Sequence, residues 1–417
     1  MPTLMTTGQP HPRHARRQLS LVAGIQVLAT SVWFSTAAVV PSLRADWNVS
    51  DGAASWLTTS VQLGFVAGAV LSAFLNIADR VQLRWLMASC ALVAAASTAA
   101  IPIFADGLEL ALPLRFVTGM ALAGVYPTGV KLMASWFSAG RGLAMGVLVG
   151  ALTLGSAVPH LVNGFDALPW REVLTVTSGL AVVAAIAALW LREGPLLMAG
   201  GPLHPGYVVR MFADRTQRLV NFGYAGHMWE LYAFWTWVPA YLAASLAAWR
   251  PATGDRATVA LLAFGVIGVA GAIGCVAAGA AARRFGSVRV AYWALFASGT
   301  CCVISGLVFG ASPVLLLPVL AIWGFCVIAD SAQLSAALSA AADPRYVGTA
   351  LTAQMAIGFV ITVATIRLLP LVAAEIGWRW ALSVLSLGPA AALVALRGLV
   401  RGGHTGTSTM ISKGGTS

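Results

Sequence analysis

The sequence predicts an all-α membrane protein of twelve transmembrane helices in two pseudo-symmetric six-helix bundles. Three observations carry that prediction. Of the 417 residues, 59% are hydrophobic and only 9% are charged, where soluble domains carry about 25% charged residues. Apolar runs long enough for a spanning helix, about 20 residues, recur along the chain without the period-2 alternation of a β-barrel. With the N-terminus placed inside, 18 of the 25 Lys and Arg fall on that same side, which follows the positive-inside bias and requires an even number of spans. That bias also accounts for the net charge of +11, so no nucleic-acid partner is expected.

The elements follow in order. Residues 1–18 are polar and carry Arg13, Arg16 and Arg17, reading as a cytoplasmic tail. They lack a short apolar segment followed by a cleavage site, so the first apolar run is expected to stay as a helix. The first bundle, 19–191, holds spans at 19–41, 53–76, 85–104, 109–137, 142–162 and 173–191. Gly124 and Tyr126-Pro127 allow the fourth of these to bend. A polar, Pro- and Gly-containing stretch, 192–218, reads as a cytoplasmic linker. The second bundle, 219–397, holds spans at 219–243, 257–282, 290–310, 313–340, 348–372 and 379–397. The remainder, 398–417, is of low complexity and is expected to be disordered on the cytoplasmic side.

The halves echo each other. WFSTAAVVPSL (33–43) in span one is similar to YAFWTWVPAYL (232–242) in span seven, and the loop IADRVQLR (77–84) corresponds to ARRFGSVR (282–289). An internal repeat of two helical halves is a transporter signature. The five cysteines lie inside apolar runs without metal-ligand spacing, reading as small buried residues. No nucleotide-cradling G-x-x-x-x-G-K-[ST] loop, H-E-x-x-H or nucleophile elbow is present, so no cofactor, metal or enzymatic activity is expected.

The two loops resemble the G-x-L-A-D-R-x-G-R-[RK] motif of the major facilitator superfamily, through Ala78, Asp79, Arg80 and Arg84 in one copy and Gly279, Ala282, Arg284 and Gly286 in the other. Arg115-Phe-Val-Thr-Gly119 is similar to the superfamily's R-x-x-x-G element. The RG-A-x-G run after Trp136 loosely resembles its organic-anion, cyanate and nitrate porter branches. The resemblance implies the twelve-helix major facilitator fold, with helices one, four, seven and ten around a central cavity. It also implies a cytoplasmic gate formed by Asp79, Arg80, Arg84 and Arg284.

The mid-span ionisable residues are Arg115, His227, Glu230 and Asp330, all on the helices that the resemblance makes cavity walls. A charge at mid-bilayer costs about 3 kcal/mol or more, so it marks a functional site by default. Glu230 is the candidate proton carrier, and His227, one turn before it, shares its helix face. His227 relays protons or binds solute. Asp330, with Gln333 one turn on, is a second proton site or an ion-pair partner. Arg115 offers a planar fork to a solute carboxylate or oxyanion, or couples to Glu230 and Asp330. Trp33, Tyr126 and Tyr232 are expected cavity contacts, while His160 reads as interfacial. The expected function is a proton-coupled secondary transporter of the inner membrane, moving a small anionic solute by alternating access as a monomer, with both termini cytoplasmic. A proton-driven exporter of hydrophobic compounds and a membrane-embedded solute sensor are the alternatives.

Overall fold

A computed structural model describes residues 12–137, 141–164, 168–197, 204–250 and 253–402. Residues 403–417 of the expected disordered tail (398–417) and residues 1–11 of the expected N-terminal tail lie outside that set, whereas residues 398–402 and 12–18 of those two stretches are helical. All regular structure among the described residues is helical.

The first half contains α1 (Pro12–Thr30), α2 (Val40–Trp47), α3 (Asp51–Leu75), α4 (Ile77–Arg80), α5 (Leu83–Phe104), α6 (Leu108–Leu122), α7 (Tyr126–Trp136), α8 (Arg141–Gly164) and α9 (Trp170–Ala188). The linker carries α10 (Pro205–Ala213). The second half contains α11 (Arg215–Trp249), α12 (Arg256–Ala263), α13 (Gly271–Phe285), α14 (Ser287–Val308), α15 (Pro313–Ala329), α16 (Ser331–Ala341), α17 (Val347–Ile376), α18 (Trp378–Ala381) and α19 (Leu387–Gly402). A π-helical stretch, Phe264–Ala270, joins α12 to α13.

Eleven helical stretches among the described residues are long and apolar enough to cross a membrane. The expected span at 19–41 is not one of them. It is interrupted: α1 ends at Thr30, a turn follows, and Ala37–Val39 forms a single 3₁₀ turn before α2. The cause is local. Ser31 and Ser35 turn their hydroxyls onto the carbonyls of Leu28 and Val32 at 2.6 and 3.0 Å, and such back-bonding competes with helix continuation. The expected bend in span four occurs between α6 and α7, where Pro127 has no N–H to continue the ladder. Span ten breaks similarly at Asp330, between α15 and α16.

Helix ends are set by short polar side chains. Ser50 caps α3 by accepting from Ala53 N at 3.2 Å. Asp214 caps α11 through Gln217 N at 2.8 Å. Each such cap contributes about 1 kcal/mol. The positive φ of 50° at Asn76 closes α3, a conformation that Asn tolerates better than most residues.

The internal repeat reappears in packing. A Cβ on Gly64 would lie 2.0 Å from Phe116 O, and one on Gly119 would lie 2.0 Å from Val61 O, so α3 and α6 touch backbone to backbone. The second half repeats this: Gly274 against Phe325 O and Gly324 against Val266 O, each also at 2.0 Å. Between halves, α8 meets α13 through small residues, with Gly146 against Cys275 O at 2.7 Å and Gly279 against Gly142 O at 2.7 Å.

Candidate functional site

Arg115 projects from α6 into the interruption of the first span and is fully buried. Its Nη1 donates to Val32 O at 2.8 Å and to Ser35 Oγ at 3.3 Å. Its Nε donates to Leu57 O at 3.3 Å, and its Nη2 to Trp33 O. The unwound carbonyls of Val32 and Trp33 supply acceptors that a helix would have consumed, Leu57 O of α3 adds another, and the guanidinium fork reaches several at once. Every one of these acceptors is neutral. The expected coupling of Arg115 to Glu230 or Asp330 is not the arrangement found, because the broken first span surrounds it instead.

The interruption also delivers Trp33 and Phe34 into an aromatic plug. Trp33 stacks on Tyr232 at 6.0 Å and on Phe359 at 5.8 Å, and Phe34 stacks on Tyr232 at 5.9 Å. Phe65 meets Phe359 at 4.7 Å, so both halves contribute. Trp33 and Tyr232 therefore pack against each other rather than line an open space. Further toward the end opposite the linker, Arg367 donates to Gly52 O at 2.8 Å and lies 4.3 Å over the Trp56 ring, tying α17 to α3. Tyr126 stands apart at the start of α7, half-buried against the cores of both halves.

In the second half, His227 Nδ1 lies 2.8 Å from Asp330 Oδ1, both side chains being buried. Asp330 sits at the break of span ten, and Tyr224 flanks His227 with ring centroids 5.6 Å apart. Gln333 is buried one turn beyond. Glu230 has other partners: Trp323 Nε1 donates to Oε1 at 2.5 Å, Ser298 Oγ to Oε2 at 3.0 Å and Cys302 Sγ to Oε1 at 3.2 Å. His227 and Glu230, expected as a pair, each face a different partner. The two residues lie on the same side of α11, but successive positions of the neighbouring span offer each a nearer group. Asp330 and Trp323 are two turns apart on that span and run in the opposite order to His227 and Glu230.

The loop residues are spread out. Asp79 Oδ1 ion-pairs with Lys131 Nζ at 2.5 Å, within the first half. Arg80 is exposed, Arg84 donates to Gln82 Oε1 at 3.1 Å, and the Arg284 guanidinium lies 5.3 Å over the Phe285 ring.

Several buried polar residues were misplaced or unread in the sequence. His160, expected at the membrane interface, is only 1% exposed. Ser156, His160 and Asn163 recur at i, i+4 and i+7 on one face of α8, and Ser156 Oγ, His160 Nε2 and Asn163 Oδ1 all lack partners. Asn163 Nδ2 donates to Ala38 O at 2.9 Å, which places that face against the interrupted first span. Gln26 and Gln62 are also buried with both amide atoms unpartnered. The polar periodicity along α8 was the signal available in the sequence.

A family profile described as the Major Facilitator Superfamily matches residues 22–366. The niacin transporter NiaP of Acinetobacter baylyi is 30% identical over 147 residues, covering 31% of this chain and 33% of that protein. A probable sulfoacetate transporter, SauU, of Cupriavidus necator is 26% identical over 163 residues, covering 33% of this chain and 37% of that protein. The chain therefore aligns with about a third of the length of these curated relatives. The solved structure of the proton:xylose symporter XylE superposes with a TM-score of 0.71 at 14% identity, covering 94% of this chain and 97% of that one. That likeness is one of fold.

Proposed function

The chain belongs to the major facilitator superfamily, and on that premise we propose that it is a proton-coupled secondary transporter of a small anionic solute. One observation carries the reading: the buried charges are segregated by sign. The first half holds Arg115, fully buried and, among the described residues, hydrogen-bonded only to neutral acceptors. The second half holds two buried acids, Glu230 and Asp330, of which Glu230 has only neutral donors. A buried charge is tolerated poorly unless it is compensated. An anionic solute near Arg115 and protons on the acids supply that compensation. Niacin and sulfoacetate, named for two relatives, are both organic acids.

The Glu230 site accommodates either protonation state without rebuilding. Ser298 has one hydroxyl proton and two acceptors within reach, Glu230 Oε2 at 3.0 Å and Leu295 O at 3.2 Å. When Glu230 is ionised, Ser298 donates to it. When Glu230 is protonated, Ser298 turns to Leu295 O and accepts the carboxyl proton. His227 and Asp330 form the second exchangeable pair, and the imidazole carries charge only when protonated.

The excess of Lys and Arg toward the linker end supports both termini being cytoplasmic in an inner membrane. In that orientation the aromatic plug closes the outer side. Solute then enters and leaves by rocking of the halves about the site between them, with Asp79, Arg80, Arg84 and Arg284 forming the cytoplasmic gate in the opposite state. The protein works as a monomer in this reading.

The test is flux into liposomes containing the purified protein, with labelled nicotinate and sulfoacetate under an imposed pH gradient. Uptake that follows the gradient is expected. Flux of hydrophobic cations in place of both acids would overturn the anionic reading, and retained binding without flux would replace transport by sensing.

A further inference from the structure

At the linker end of the second half, the start of α11 lies beside the finish of α19, and both are basic. Arg215 opens α11, while Arg397 and Arg401 lie in the last two turns of α19. All three are exposed, and among the described residues none has an ion-pair partner. Asp214, next to Arg215, is engaged in capping α11, where its Oδ1 accepts from Gln217 N at 2.8 Å. No Asp or Glu follows Glu375 in the sequence. Like charges gathered in this way repel unless an anion joins them.

One contact gives the cluster its shape. Arg215 reaches across to α19: a Cβ built on Gly398 would lie 3.3 Å from Arg215 Nη2 and would meet nothing else within 4 Å. The guanidinium thus lies over a position where α19 has no side chain. Arg401 follows Gly398 at i+3, a spacing that sets Cβ positions about 5–6 Å apart, well inside the reach of an arginine. Arg397 flanks the same turn.

The face below the arginines is apolar. Leu387, Ala391, Val394, Gly398 and Arg401 recur at i, i+4, i+7, i+11 and i+14, one stripe along α19. Leu387 is 61% exposed and Val394 78%, as suits side chains turned toward lipid. The other side of the helix, with Gly388, Ala392 and Leu396, packs on α11 at Gly226 and Gly223. The span Trp378–Arg401 has 24 residues, about 36 Å at 1.5 Å per residue, against a hydrocarbon core of about 30 Å. Gly398 therefore sits at the edge of the hydrocarbon, and Arg401 stands at the level of lipid phosphates.

We propose that this face of α19 binds the phosphodiester of an anionic phospholipid from the leaflet at the linker end. Arg215, seated over Gly398, and Arg401 donate to the phosphate oxygens, for which planar guanidinium forks are well matched. Arg397 adds charge at the rim, and an acyl chain runs down Val394, Ala391 and Leu387. Free phosphate would use the arginines but leave the stripe beneath them bare; the exposed Val394 selects a lipid. The assignment holds whatever solute is moved.

The test uses the full-length protein in detergent, titrated with dioleoylphosphatidylglycerol, dioleoylphosphatidylethanolamine or inorganic phosphate and read by thermal shift. A saturable rise in Tm is expected with the phosphatidylglycerol. It should be about tenfold weaker with the phosphatidylethanolamine, whose ammonium offsets the phosphate charge, and absent with inorganic phosphate at equal concentration. Gly398→Leu removes no charge but occupies the seat of Arg215, and should weaken phosphatidylglycerol binding about tenfold, as should Arg215→Gln. Arg192→Gln deletes an exposed arginine of the first half and should leave binding unchanged. Arg401→Gln, at an exposed helix end, carries the test if Gly398→Leu does not fold. No saturable response to phosphatidylglycerol, equal responses to the two lipids, or an equal response to inorganic phosphate would overturn the assignment. So would undiminished binding in the Gly398 or Arg401 variant, or an equal loss in Arg192→Gln.

Discussion

Glu230→Gln is expected to uncouple solute movement from protons while leaving the fold in place. Its geometry predicts both halves of that statement. The Gln carbonyl still accepts from Trp323 Nε1, as Oε1 does now at 2.5 Å. The amide NH₂ then donates to Ser298 Oγ, whose own proton goes to Leu295 O, already 3.2 Å away. One of the two amide hydrogens is left without an acceptor, so the stability change should stay within about 1–3 kcal/mol. Glu230→Ala differs: it strands the Trp323 N–H and leaves a void, for a loss of roughly 3–5 kcal/mol. The coupling effect is distinct from the structural one. One proton moved down a gradient of one pH unit is worth about 1.4 kcal/mol, or about tenfold accumulation of solute. Two units should drive wild-type protein to about a hundredfold for an electroneutral one-to-one symport. Glu230→Gln in the same liposomes should equilibrate near unity while solute exchange against internal solute continues. Accumulation by Glu230→Gln with the wild-type dependence on pH gradient would refute the proton assignment.

Arg115→Met should lower unfolding stability by roughly 2–5 kcal/mol, because the carbonyls of Val32, Trp33 and Leu57 each lose a charged donor; thermal unfolding in detergent measures this. Arg115→Lys keeps the charge without the fork and should recover part of the solute-induced Tm shift lost in the Met variant. Gly119→Val and Gly324→Val place side chains where Cβ alone would lie 2.0 Å from backbone oxygen, so each should cost about 3 kcal/mol or more. Size-exclusion profiles of the two should deteriorate alike, given their equivalent places in the two halves. At the loop before α17, hydrogen bonds from Arg345 hold the Asp343 carboxyl below its usual range. A depressed folded-state pKa means that this anchor is intact above about pH 4 and is lost as pH falls through the lowered value. Amide exchange at 343–347 should accordingly rise only in that acid window.

The fold was legible because bilayer thickness writes itself into hydropathy, and because the two halves carry similar segments at positions 33–43 and 232–242. The broken first span was not legible. Its interruption depends on Ser31, Ser35 and a distant Arg115 acting together, and no window of local apolarity registers that. The candidate ionisable residues were visible as anomalies in apolar runs, but their partners were not. His227 and Glu230 look like a pair along one helix, yet the neighbouring span supplies Asp330 to one and Trp323 to the other. Gly64 and Gly274 gave no sign in isolation, since their importance lies in which carbonyl stands opposite. Ser156, His160 and Asn163 carried a readable spacing whose meaning depended on knowing that α8 turns that face inward.

The contact between α8 and α13 has a mechanical consequence. Interlocked side chains would act as teeth, and sliding past them would require each to change rotamer in turn. Gly142, Gly146 and Gly279 instead bring smooth backbone against backbone. Such a surface bears load without notches, in the manner of a plain journal bearing. Bulk added at Gly146 would convert the bearing into a ratchet and should slow turnover before it weakens binding.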